Sequence, residues 1–266
     1  MKINPDQWLD AVIDIAHEAG KKILEIYATD FDVSHKHDNT PLTEADMAAH
    51  KTIVKGLQAL DCDFPILSEE SAHIAFSERS SWDTYWLVDP LDGTREFIKK
   101  NGEFTVNIAL IHDNKPILGV ICVPVSGDCY FAAKHFGAYK QIRGKDAVAI
   151  HTRDKPRDIT IVAGSRSHRG DSLNAFLEKI GKYDMVSMGS SLKSCLVAEG
   201  KADIYPRLGP TSEWDTAAAQ CVVEEAGGKL VDLEMKPMLY NTKRSLLNPY
   251  FLVIGDPQFD WAQYLL

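Results

Sequence analysis

Apolar residues Trp8, Val12, Ile15, Ala16, Ala19, Ile23 and Ile26 recur at helical spacing, which predicts an amphipathic helix over residues 6–27. Asn4-Pro5-Asp6-Gln7 precedes it with a capping residue, a proline suited to the first helical position, and glutamine three places after the cap. Thr43-Glu44-Ala45-Asp46 has the spacing of a capping box and opens a second helix to about residue 60. Residues 64–67 are a short apolar run that stops at Ser68-Glu69-Glu70-Ser71. Tyr85-Trp86-Leu87-Val88 is a second such run, and it breaks at Asp89-Pro90 before Leu91-Asp92-Gly93-Thr94. Strands are then predicted over 104–112, 116–124, 129–133 and 137–142. The turns between them are short, so the pairing is antiparallel.

The polar, proline-bearing stretch 151–158 divides the pattern. Beyond it, predicted strands at 159–164, 184–188, 202–205, 229–233 and 250–254 are interleaved with predicted helices at 172–180, 192–199 and 216–226. Such alternation implies a largely parallel or mixed sheet covered on both faces. The expected organisation is therefore a layered α-β-α-β-α sandwich of the α/β (α+β) class. Two subdomains are expected: residues 1–152 with an antiparallel sheet, and residues 153–266 with the mixed, largely parallel sheet.

Composition narrows the function. The 266 residues are 45% hydrophobic and 25% charged, as in ordinary globular enzymes. No run of 18 apolar residues and no apolar leader segment is present, so neither a transmembrane helix nor a secretory signal is expected. The formal charge of −9 argues against a protein that coats a nucleic acid polymer, whose affinity comes from Lys and Arg on phosphates. A small anion remains acceptable if metals or local cations receive it. The cysteines are Cys62, Cys122, Cys129, Cys195 and Cys221, an odd number without a CxxC spacing. That pattern favours reduced thiols in a cytoplasm, with Cys195 and Cys221 in the core.

Candidate chemistry lies in the acids. Glu69, Asp89 and Asp92 stand at strand ends, and Asp215 stands at a helix start. In isolation Asp215 reads as a helix cap, Asp46 as a capping-box acid, and Asp89 to Thr94 as a solvated turn. Brought together, these carboxylates would repel one another unless cations lay between them. Mg²⁺ prefers oxygen ligands, activates water and neutralises the leaving oxygen of a phosphate ester.

Asp89-Pro90-Leu91-Asp92-Gly93-Thr94 together with Trp214-Asp215 and Gly227-Gly228 resembles the paired signature of the lithium-sensitive, magnesium-dependent phosphomonoesterases. That superfamily includes inositol monophosphatase, fructose-1,6-bisphosphatase and the 3'-phosphoadenosine phosphatases. The stretches 92–99, 101–107 and 189–193 are similar to those of the 3'(2'),5'-bisphosphate nucleotidases of the bacterial CysQ type. The resemblance implies Glu69, Asp89 and the Leu91 carbonyl at one Mg²⁺, and Asp89, Asp92 and Asp215 at a second. A third, weaker ion would share Glu69. It implies that Thr94, paired with Asp46, orients the attacking water, with Glu70 as a supporting acid. Gly93 and Thr94 amides would receive the phosphate. Ser190, Lys193, His168, Arg207 and Asp215 would contact a small bisphosphate nucleotide, and Gly189-Ser190-Ser191 would offer backbone donors ahead of a helix. Activity would be inhibited by Li⁺ and Ca²⁺. The implied setting is cytoplasmic, as monomer or homodimer, with peripheral attachment to the inner face of the membrane left open.

Two departures from that pattern and three alternative readings bear on it. Arg95 stands where lysine is common, and Ala219-Gln220 where glycine-histidine is frequent. A haloacid-dehalogenase loop is excluded because its nucleophilic Asp position is Pro90. Hydrolysis of inositol or fructose phosphates, and a non-catalytic nucleotide sensor, are the competing readings.

Overall fold

The helical period of the first thirty residues forms a 3₁₀ turn, Pro5–Trp8, leading into helix α1 (Leu9–Tyr27). Asn4 sits at the cap, but its side chain makes no capping bond. The computed structural model describes residues 3–30, 33–35, 41–154, 159–164 and 171–265. Strands β1 (Val33–His35) and β2 (Pro41–Thr43) pair antiparallel. Helix α2 (Glu44–Gln58) starts on the predicted capping box at Thr43.

Next come β3 (Ile66–Ser68), α3 (Phe76–Arg79), β4 (Thr84–Asp92) and α4 (Thr94–Ile98). Strands β5 (Thr105–His112), β6 (Lys115–Cys122), β7 (Cys129–Ala133), β8 (Gly137–Gln141) and β9 (Val148–Ala149) complete the first half. Strands β3 to β9 form one seven-stranded sheet in sequence order. Strand β3 is parallel to β4, because α3 and its flanking turns carry the chain back across the sheet, and the other pairings are antiparallel. The sheet is thus antiparallel except at its β3 edge.

The second half contains β10 (Thr160–Gly164), α5 (Asp171–Ile180), β11 (Tyr183–Ser187), α6 (Leu192–Ala198), β12 (Ile204–Arg207), α7 (Ala217–Glu225), β13 (Lys229–Asp232) and β14 (Phe251–Ile254). Its sheet has the order β11-β10-β12-β14-β13. Pairings β10–β11 and β10–β12 are parallel, and β12–β14 and β13–β14 are antiparallel. The sheet is mixed, but parallel and antiparallel pairings are balanced, because β14 inserts between β12 and β13.

Alternation along the strands accounts for the layers. Trp86, Val88, Ile108, Leu110, Leu118 and Val120 pack with residues of α1 and α2. Tyr85, Leu87, Ala109, Ile111 and Ile121 point the other way and share a core with α6, α7 and Ala163, Tyr205 and Val253 of the second sheet. On that sheet's far face Val162, Ile204, Leu252 and Ile254 meet Phe176 and Leu177 of α5 and Trp261. The order is α1/α2, sheet, α6/α7, sheet, α5, which is the expected five-layered sandwich. Gly119 lets α7 lie this close to β6, since a Cβ there would stand 2.3 Å from the Ala218 carbonyl oxygen.

One expectation fails. Cys122 and Cys129 are register partners across the β6–β7 hairpin, with Cα atoms 4.2 Å apart, and they form a disulfide. Spacing along the chain gave no sign of this, because hairpin register rather than a short motif brings them together. Cys62, Cys195 and Cys221 are free thiols, and the last two are buried as predicted. Among the described residues no helix is long and apolar enough to cross a membrane.

Candidate active site

The acids converge because β4 contains an irregularity. Strands β4 and β5 stay in register from Thr84 opposite His112 to Asp89 opposite Asn107, and the next pair is Asp92 opposite Thr105. Three steps along β4 match two along β5, so one extra residue is accommodated at Pro90-Leu91. Side chains three apart in a regular strand point to opposite faces. The bulge returns Asp92 to the face of Asp89, and proline suits it because no ladder donor is needed there. That face is the one bearing Tyr85 and Leu87, turned toward α6 and α7.

Asp215 arrives from that layer. It ends the 3₁₀ turn Glu213–Asp215 just before α7, and the Ser212 amide donates to its Oδ2 at 2.8 Å. It is therefore not the cap of α7, as its sequence position alone suggested. Thr216 holds that place, and Asp215 belongs to a capping box with Ser212. Carboxylate oxygens of Asp89, Asp92 and Asp215 lie within 4.8 Å of one another. Glu69 and Glu70 sit in the 3₁₀ turn Glu69–Ser71 that follows β3, whose Ser68 pairs with Val88 one residue before Asp89.

Electrostatics make this cluster costly without a cation. Burial, and then the charges of Glu69, Asp92 and Asp215, push the Asp89 carboxyl well above the usual carboxylate range. Burial and the Asp92 charge push Asp215 up to about 7, with Glu69 adding to the effect. Buried carboxyls this close persist only when protons or cations neutralise them. The donors are hard carboxylate oxygens, and that set fits Mg²⁺-like ions rather than soft metals. The residues present therefore fit a divalent metal centre.

Asp46 makes both of the contacts considered for it. Its Oδ2 accepts from the Thr43 amide at 2.8 Å and the Thr43 hydroxyl at 2.7 Å, which closes the capping box of α2. Its Oδ1 accepts from the Thr94 hydroxyl at 3.3 Å. The Thr94 hydroxyl is also 3.5 Å from the Leu91 carbonyl oxygen. Gly93, at φ 95°, is the left-handed cap of α4. The amides of Gly93 and Thr94 thus stand at a helix start, where backbone donors have no intrahelical acceptor.

A polar cavity of about 180 Å³ adjoins the acids, lined by Asp92, Gly93, Ser190, Lys193, Arg207 and Asp215 among others. Lys193 is buried, and its Nζ donates to the Ser190 carbonyl at 2.7 Å and approaches that of Met188 at 3.4 Å. Burial lowers its pKa to about 8. Arg207 donates through Nη2 to the Pro210 carbonyl at 3.0 Å, and its buried Nε has no partner. Ser190 is held at φ 44°, and its buried hydroxyl is likewise unpartnered. The backbone donors anticipated at Gly189-Ser190-Ser191 are only partly free, because the Gly189 amide donates to Glu103 Oε2 at 2.8 Å. A Cβ at Gly189 would stand 2.6 Å from the Glu103 carbonyl oxygen, which explains the glycine. His168 lies outside the described residues.

Two side chains to which the sequence assigned no role, those of Ser191 and Asn107, hold Asp92 in place. The Ser191 hydroxyl donates to Asp92 Oδ2 at 2.6 Å and accepts from Asn107 Nδ2 at 2.9 Å. Asn107 Nδ2 also approaches Asp92 Oδ2 at 3.4 Å. Asn107 faces Asp89 across the β4–β5 ladder, so its role needs the register, and no motif signals it.

An oxygen-donor cluster at the junction of two sheets, opening on a polar cavity that also bears Lys193 and Arg207, fits a metal-assisted hydrolase of anionic substrates. Residues 4–256 match the inositol monophosphatase family, and the chain belongs to that family. It is 48% identical over 253 residues to the 3'(2'),5'-bisphosphate nucleotidase CysQ of Escherichia coli O157:H7, covering 92% of this chain and 98% of that one. The CysQ nucleotidase of Haemophilus influenzae is 41% identical over 255 residues, covering 95% and 94%. The crystal structure of CysQ from Bacteroides thetaiotaomicron superposes with a TM-score of 0.84 at 41% identity, covering 97% of this chain and all of that one (100%).

Proposed function

We propose that this chain is a Mg²⁺-dependent phosphomonoesterase that removes the 3'-phosphate of adenosine 3',5'-bisphosphate, yielding AMP and phosphate in the cytoplasm. The observation that carries the reading is the close approach of Asp89, Asp92 and Asp215 beside a cavity bearing Lys193 and Arg207. Relatives named as bisphosphate nucleotidases, at 41% and 48% identity, support the substrate.

Glu69, Asp89, Asp92, Asp215 and the Leu91 carbonyl would hold two ions, with a third sharing Glu69. When bound, these ions supply Lewis acidity toward the attacking water and the ester oxygen. The chain's own residues do the rest. The Thr94 hydroxyl commits its proton to Asp46, so its lone pairs are left to accept from the attacking water and orient it. Asp46 is fixed by the cap of α2 and is the base behind that hydroxyl, and Glu70 supports from the neighbouring turn. The Gly93 and Thr94 amides face the phosphoryl oxygens. Lys193 and Arg207 supply positive charge for the second phosphate, and Ser190 presents a free hydroxyl. His168 would contact the nucleotide. Attack is in line and no phospho-enzyme forms.

The test has two parts. Turnover of adenosine 3',5'-bisphosphate and inositol 1-phosphate is measured side by side, and hydrolysis is repeated in ¹⁸O-water. The bisphosphate should be strongly preferred and the released phosphate should carry the label. Equal or greater turnover of inositol 1-phosphate would overturn the substrate, and unlabelled phosphate would overturn the mechanism.

A further inference from the structure

A second group of side chains able to ligate a metal lies on the opposite face of the first sheet from the acids. His17 of α1 and the hairpin cysteines Cys122 and Cys129 have ligand atoms within 4.8 Å of one another. They come from three separate elements: α1 packs over this end of the sheet, and hairpin register sets the two sulfurs side by side. The His17 ring makes no hydrogen bond among the described residues, so a ring nitrogen is not committed elsewhere. A cavity of about 550 Å³ opens beside Cys122 and His17 and is bordered by Lys21, Gln141 and Arg143.

Two sulfurs and an imidazole are soft and borderline donors, unlike the hard oxygens at Asp89. Tetrahedral ligands about 2.3 Å from Zn²⁺ stand roughly 3.8 Å apart, so the two sulfurs, bonded to each other in the disulfide, must separate on reduction, while a His17 ring nitrogen already lies within 4.8 Å of both. Three protein ligands leave a fourth position for water, which the cavity can admit. We propose that Cys122, Cys129 and His17 form a redox-gated Zn²⁺ site, closed by the disulfide and opened by its reduction. An external dithiol supplies two electrons and two protons, is itself oxidised to a disulfide, and leaves two thiols on the hairpin. Zn²⁺ binding then releases those two protons to solvent, and the metal stays divalent. Lys21 and Arg143 at the rim favour the thiolates that result.

The test uses the full chain with the acidic centre saturated in Mg²⁺. The protein is reduced anaerobically with a phosphine, freed of reductant and titrated with Co²⁺. One equivalent should give a thiolate-to-cobalt charge-transfer band, which oxygen ligands cannot produce, and Zn²⁺ should displace it. The oxidised protein should show none. His17→Gln should bind Co²⁺ roughly tenfold or more weakly while hydrolysing the bisphosphate normally. As a second readout that does not rely on a cysteine variant folding, Zn²⁺ should slow alkylation of both thiols in the reduced wild type and not in His17→Gln. Absence of the band in the reduced protein, undiminished affinity in His17→Gln, or alkylation indifferent to Zn²⁺ would each overturn the site.

Discussion

Replacing Ser191 by alanine tests whether the geometry around Asp92 is set from outside the acids. The hydroxyl donates to Asp92 Oδ2 at 2.6 Å and accepts from Asn107 Nδ2 at 2.9 Å. A hydrogen bond to a charged group contributes about 1.5–3 kcal/mol. The loss also leaves Asn107 Nδ2 with only the 3.4 Å approach to Asp92, beside an Oδ1 that is already buried and unpartnered. We expect a stability loss of about 2 kcal/mol, or a Tm lower by about 4–8 °C for a chain of this size. The functional effect should be larger at the metal than in the chemistry. Groups that orient metal ligands are worth about 10–100-fold in metal affinity. The Mg²⁺ concentration for half-maximal activity should therefore rise by that factor, while kcat at saturating Mg²⁺ stays within a few-fold of the wild type. An unchanged Mg²⁺ activation curve in a folded Ser191→Ala protein would refute the assignment.

Asp215→Asn keeps an oxygen for the Ser212 amide and should fold, yet lose activity by about a hundredfold or more at any Mg²⁺ concentration. In metal-free protein the same change should stabilise. Asp215 has a folded pKa of about 7 against 3.8 ordinarily, so its ionisation penalty is absent below pH 4 and complete above 7, at most about 4 kcal/mol. Thermal melts in chelator should show the variant gaining on the wild type as pH rises from about 4 to 7 and levelling off above it, and a wild-type advantage at pH 8 would contradict this. For Lys193, charged below its pKa of about 8, KM for the bisphosphate should climb as pH passes 8, and Lys193→Met should raise KM and flatten that limb; a limb that persists in the variant would assign it elsewhere. Gly119→Ala places a Cβ 2.3 Å from the Ala218 carbonyl oxygen and should cost about 3 kcal/mol or more in urea titrations, a prediction that a near-neutral variant would defeat.

Much of this protein was legible in the chain. Hydrophobic period gave α1, α2, the β5–β8 meander and the alternation of the second half, because periods of 3.6 and 2 follow from backbone geometry and burial. The capping box at Thr43 and Asp46 was readable because its bonds are local. The acids Asp89, Asp92 and Asp215 were legible through their motifs. Other features depend on contacts between distant segments and were not. The extra residue at Pro90-Leu91 swings Asp92 to the face of Asp89, and it exists only relative to the register of β5. Strand β3 runs parallel to β4, and β14 inserts between β12 and β13, where pairing is a choice among edges that no local pattern records. The Cys122–Cys129 disulfide follows from hairpin register, against the expectation of reduced thiols. Ser191 and Asn107 became partners of Asp92 only when two sheets met. The chain determined which groups could do the chemistry, since that depends on residue type. Tertiary structure decided which of them stand within a few ångströms of one another, since a carboxylate's cost and use depend on what surrounds it.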